Sequence, residues 1–134
     1  MRPLLPDTNV LVYETVEDSP HHEEASEIMD SAKVIIIPSM VLHEYMWVMI
    51  RRLKVPLDFM LEKVDEYLSD RRIRYVVEPP NAVLDALEWL RTSSARNLND
   101  FLILSTAVRL DAILATYDEG LRRLAERMGV EVVP

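Results

Sequence analysis

Apolar residues in this chain fall into short blocks separated by polar breaks, and the blocks alternate between two periods. Val34-Ile35-Ile36-Ile37 is an unbroken run rich in β-branched residues, the pattern of a strand buried on both faces of a parallel sheet. Leu4-Leu5, residues 73–77, residues 112–116 and residues 130–133 read as further strands. Between them the apolar positions recur at helical spacing, which predicts helices over 8–16, 20–31, 39–50, 56–68, 82–90, 100–108 and 120–128. Ser19-Pro20 reads as an N-cap with proline at the first helical position, and Asn99 as the N-cap of a helix starting at Asp100. In the helix that Pro56 opens, Phe59, Leu61, Val64 and Leu68 are expected to face inward. Strand and helix alternate throughout, so the expected fold is α/β: a three-layer α/β/α sandwich with a mostly parallel sheet. No linker, repeat or low-complexity segment interrupts residues 1–134, which predicts one domain.

The polar breaks carry acids. Asp7 ends the first apolar run, Asp118 follows the fourth strand, Asp100 opens a helix and Glu44 lies about one and a half turns into another. In an open α/β sheet the carboxyl ends of the strands are where ligands sit. Buried carboxylates are costly unless paired. A cluster of them repels itself unless a cation resolves the repulsion. All-oxygen ligation of that kind suits Mg²⁺ or Mn²⁺. Each acid also has a plainer reading: Asp7, Asp100 and Asp118 as helix N-caps, Glu44 as a solvated helix residue.

Composition narrows the chemistry further. Cysteine is absent, which excludes disulfides, thiolate catalysis and cysteine-based zinc sites. His43-Glu44 begins like the zinc-protease pattern HExxH, but Trp47 stands where the second histidine belongs. Asn9 occupies the second acidic position that an Asp-x-Asp phosphatase needs, and no glycine-rich phosphate loop occurs. His21 and His22 are adjacent in a predicted first turn and do not share a face. The formal net charge of −8 argues against a binding module that relies on neutralising a nucleic-acid backbone. It argues less against a nuclease, whose bound cations reverse the local field. Arginines cluster at Arg51-Arg52, Arg71-Arg72-Ile73-Arg74 and Arg122-Arg123, which read as solvated helix ends. No apolar stretch is long enough to span a bilayer, and Pro3, Pro6 and Asp7 interrupt any signal-like run, so a cytoplasmic protein is expected.

Four segments in order, Asp7-Thr8-Asn9-Val10-Leu11, residues 39–44, residues 99–107 and Ile113-Leu114-Ala115-Thr116-Tyr117-Asp118, resemble the PIN domain. The likeness is strongest to VapC-type ribonuclease toxins and their archaeal relatives. It implies that Asp7, Glu44, Asp100 and Asp118 form a Mg²⁺ or Mn²⁺ site, with Thr116 a hydroxyl residue beside it and Asn9 a supporting polar residue. It implies cleavage of single-stranded RNA to 5′-phosphate and 3′-hydroxyl ends, a homodimer, and an antitoxin whose tail enters the active-site groove. Arg96, before the acidic helix, is a candidate RNA contact. An RNA-processing nuclease outside a toxin system and a non-catalytic interaction module with the same fold remain as alternatives. One departure is Asp111, at a position often held by glycine.

Overall fold

The computed structural model describes residues 2–93 and 97–134. The chain runs β1 (Leu4–Pro6), α1 (Thr8–Thr15), α2 (His22–Ser31), β2 (Ile35–Pro38) and α3 (Ser39–Trp47). A π-helical turn, Val48–Arg52, extends α3 and is followed by α4 (Leu57–Ser69) and β3 (Ile73–Val76). Then come α5 (Pro80–Arg91), α6 (Leu98–Arg109), β4 (Ile113–Ala115), α7 (Glu119–Arg127) and β5 (Val132–Val133). The five strands form one sheet in the order β3-β2-β1-β4-β5, and every pairing is parallel. The α/β expectation therefore holds, with the sheet parallel throughout.

Burial explains the strand signals. Every residue of β1 and β2 is buried, because helices cover the centre of the sheet on both sides. Edge strand β3 buries Ile73 but leaves Arg74 and Tyr75 exposed. The core is continuous, from Leu5, Ile35 and Leu114 on the sheet to Leu11, Tyr45, Met49 and Leu104 on the helices. Tyr45 is fully buried, and its hydroxyl is 2.7 Å from Thr15 Oγ1. Tyr67 packs against Tyr45, so the same polar seam ties α1, α3 and α4 together.

Several boundaries and faces differ from the sequence reading. Helix α2 starts at His22, because Pro20 lies in the preceding turn. Helix α6 starts at Leu98; Asn97 is its N-cap, accepting from the N–H groups of Asn99 and Asp100. Helix α4 turns Met60 and Tyr67 inward, while Phe59, Leu61 and Leu68 are exposed. The two apolar stripes on this helix compete, and the Tyr45 contact selects the one carrying Tyr67. The Arg71–Arg74 cluster is not a helix end. Arg72 pairs with Asp70 and donates to the carbonyls of Met29 and Ala32, closing the C-terminal end of α2. Asp111 adopts a left-handed backbone, φ 50°, the conformation that favours glycine there.

Helix α3, which carries Glu44, gains its N-terminal cap from far away in sequence. Its own N-cap position is Pro38, which offers no side-chain acceptor. Glu78, after β3, supplies one: both carboxylate oxygens accept from Ser39 Oγ at 2.9 Å, and one accepts from the Met40 N–H at 3.1 Å. The register Pro38↔Val76 brings these segments together. A carboxylate at a helix N-terminus also favours the helix dipole. Glu78→Ala should therefore lower unfolding stability by about 1 kcal/mol. Denaturant titration checks this, and an unchanged midpoint would show that α3 does not depend on the cap.

Candidate active site

The strand order reverses direction at β1, with β2 on one side and β4 on the other. The carboxyl ends of β1 and β4 diverge there into crossovers on opposite sides, leaving a crevice. Parallel register sets Pro6 opposite Ala115, and the Asp7 N–H donates to the Ala115 carbonyl at 2.8 Å. The next residues, Asp7 and Thr116, are thereby side by side. Thr116 Oγ1 donates to Asp7 Oδ2 at 2.8 Å and accepts from the Asp118 N–H at 3.0 Å. Asn9 holds both loops: its amide nitrogen lies 3.4 Å from Asp7 Oδ2, and its carbonyl accepts from the Tyr117 N–H at 3.2 Å.

Asp7 and Asp118 are both helix caps and cavity residues. Asp7 Oδ1 accepts from the Thr8 N–H at the start of α1, and Asp118 Oδ1 accepts from the Leu121 N–H in α7. Capping uses only one carboxylate oxygen of each acid and does not exclude a site: Asp118 Oδ2 has no partner among the described residues, and Asp7 Oδ2 is oriented by Thr116 and Asn9. Asp100 is different. It lies in the first turn of α6, capped by Asn97, and its carboxylate has no hydrogen-bond or ionic partner among the described residues. The same holds for the half-buried Glu44 on α3.

All four acids line one cavity of about 360 Å³, together with Thr8, Asn9 and Tyr13. Thr116 is fully buried behind it. Burial raises the Asp7 carboxyl above its ordinary range. The Thr116 and Thr8 hydrogen bonds partly oppose that rise, and Glu44 and Asp118 add to it. Asp100 is pushed up to about 6 by burial, then by the charges of Asp118, Asp7 and Glu44. Four carboxylates thus share one field, and two of them lack any donor among the described residues.

This donor set suits a hard divalent cation. Among the described residues no three acids or histidines stand close enough together to form a preformed ligand cluster. Mg²⁺ usually binds through one or two carboxylates and keeps several waters, so a complete protein cage is not required. The Thr8 hydroxyl is buried without a hydrogen-bond partner among the described residues, which leaves a further oxygen for water at the same cavity. The structure brings Asp7, Glu44, Asp100, Asp118, Asn9 and Thr116 together. Arg96 lies outside the described residues. Sequence reading missed Arg52, which also lines the cavity, and the distant Glu78 that caps the helix bearing Glu44.

Metal-free stability exposes the cost of burying the Asp100 charge beside like charges. Asp100 is pushed up to about 6 in the folded protein, whereas a free aspartate carboxyl titrates near 3.8. The folded state therefore binds more protons between those values, and its stability falls as pH rises through that window. Asp100→Asn should raise the metal-free melting temperature at pH 7 by several degrees, about 4 °C for roughly 1 kcal/mol. The advantage should close as pH drops from about 6 towards 4. A melting temperature below the parent at pH 7 would contradict the cost assigned to burying this charge among like charges.

The described helices include none long and apolar enough to cross a membrane. No curated protein matches the chain. Among solved structures, Mycobacterium tuberculosis VapC20, a sarcin-ricin loop cleaving toxin, is similar with a TM-score of 0.77 and 15% identity, over 90% of this chain and 94% of that one. VapBC2 from Rickettsia felis, bound to a promoter DNA fragment, gives 0.69 and 20%, over 98% and 97%. FitAcB from Neisseria gonorrhoeae gives 0.61 and 22%, over 98% and 96%. At these identities the likeness is one of fold. The PIN domain family model matches residues 4–127, and the chain belongs to that family.

Proposed function

We propose that this PIN-domain protein is a metal-dependent endoribonuclease that cleaves single-stranded RNA, acting as the toxin of a VapBC-type toxin–antitoxin pair. The observation that carries the reading is the convergence of Asp7, Glu44, Asp100 and Asp118 on one cavity at the strand-order reversal. Fold relatives that are toxins or toxin–antitoxin complexes support the biological setting.

Asp7, Asp100 and Asp118 would hold Mg²⁺ or Mn²⁺, with Glu44 assisting. The bound cation supplies Lewis-acid activation of water and offsets charge on the phosphodiester. Everything else falls to the chain. Thr116 and the Thr8 N–H fix both oxygens of Asp7, so its carboxylate enters the cavity in one orientation. Asn9 and Thr116 tie the Asp7 loop to the Asp118 loop, which holds these two carboxylates in register. Asp100 and Glu44, without partners among the described residues, remain available to a cation. The same reading makes residues 1–134 a single catalytic domain in the cytoplasm. It also gives the protein an antitoxin partner and a homodimer partner, with exposed apolar Leu57 and Leu61 on α4 available for contact.

Purified protein should cut labelled single-stranded RNA in Mn²⁺ or Mg²⁺ and lose the activity with a chelator. Asp7→Asn and Asp100→Asn should each reduce cleavage by at least about 100-fold, given that outer-shell changes alone cost about 10–100-fold at metal sites. Cleavage at the parent rate in both variants would sink the proposed site. A small antitoxin reading frame beside the gene is expected, and co-expression of its product should suppress the cleavage.

A further inference from the structure

One basic side chain lines the acidic cavity among the described residues: Arg52, at the end of the π-helical turn. Its surroundings make that unusual. An arginine beside four carboxylates would be expected to pair with one of them. Arg52 instead forms no ion pair or hydrogen bond among the described residues. Its guanidinium lies over the Trp47 ring, 5.3 Å from the centroid. Stacking of this kind holds the charge in place while leaving the edge N–H donors free.

The backbone accounts for its position. Four residues of an α-helix turn about 400°, so each four-residue step drifts about 40° round the axis. Glu44, Val48 and Arg52 are two such steps, which would carry Arg52 about 80° from the face of Glu44. The wider turn over Val48–Arg52, closed by the Leu53 N–H to the Val48 carbonyl at 3.0 Å, offsets that drift. Glu44, Val48 and Arg52 consequently line the same cavity. They also line a second cavity of about 390 Å³, shared with His43, Trp47 and Asn99. Arg52 stands where the two meet, and π-turns of this kind occur often at functional sites.

We infer that Arg52 is a substrate-positioning residue, which binds a non-scissile phosphate of the RNA strand as it leaves the carboxylate cavity for the second one. This rests on the ribonuclease reading of the site. The chain carries a net charge of −8, so a polyanion approaching the acids needs a local cation that the acids do not consume. Trp47 provides that by holding the guanidinium, and a planar fork of donors matches phosphate oxygens. Arg51, exposed one residue away and lining neither cavity, is the internal comparison.

The test measures steady-state cleavage of a labelled single-stranded RNA with Mn²⁺. It also measures RNA binding across a salt series in an Asp100→Asn background that does not cut. Arg52→Ala should raise KM about tenfold with little change in kcat, the size expected for a lost charge-assisted hydrogen bond. It should also lower the slope of log affinity against log salt by about 0.7, one phosphate contact on a single strand. Arg52→Lys should keep the slope, and Arg51→Ala should match the parent in both measurements. Packing on Trp47 alone would not move the salt slope. Arg52→Ala with parental KM and slope, or an equal effect from Arg51→Ala, overturns the assignment while the parent still cuts. A parent that neither binds nor cuts RNA overturns the ribonuclease reading itself.

Discussion

Parallel pairing of β1 with β4 is the constraint on which the site depends. These strands are short, yet their register fixes the two residues that follow them. Asp7 and Thr116 then meet at 2.8 Å, and Thr116 passes the constraint on to the Asp118 backbone. Burial of Leu4, Leu5, Leu114 and Ala115 enforces this register, since a one-residue slip would send these apolar side chains to the wrong positions. The core and the candidate metal centre are therefore not separable. Packing that stabilises the centre of the sheet also sets the spacing between two of its acids.

The site works against the stability of the fold that builds it. Asp7 is almost fully buried, and Asp100 sits near three like charges with no donor among the described residues. A protein selected for stability alone would replace either with a neutral residue. Retaining both leaves unspent electrostatic attraction for a cation, and a bound cation would recover what repulsion costs. Thr116, Asn9 and the Thr8 N–H limit the cost at Asp7 by satisfying its oxygens, which keeps the carboxylate ordered before anything binds.

Helix α3 is the second support, and it is held at both ends by unusual means. Glu78 caps its start from across the sheet, where Pro38 cannot. A π-turn at its end brings Arg52 back to the face of Glu44. Acid and base on one helix thus face the same groove without pairing, and the guanidinium lies over Trp47.

Much of this was legible in the sequence. The Val34–Ile37 run marked a buried parallel strand because a central strand has no polar face to show. The acids at Asp7, Asp100 and Asp118 were legible because they interrupt apolar blocks, and a chain rarely sets charge against a strand end without use. Local patterns decide such features. The rest depended on contacts between distant segments. Helix α4 carries two apolar stripes, and only the position of Tyr45 selects the one with Tyr67. Arg72 looked like surface charge until the α2 carbonyls came within reach. Glu78 lies 39 residues from the serine it caps, and no local signal points that far. The sequence by itself determined which elements form and which residues carry charge. Tertiary structure alone decided which of those charges face one another, because electrostatic coupling depends on distance through space and not along the chain.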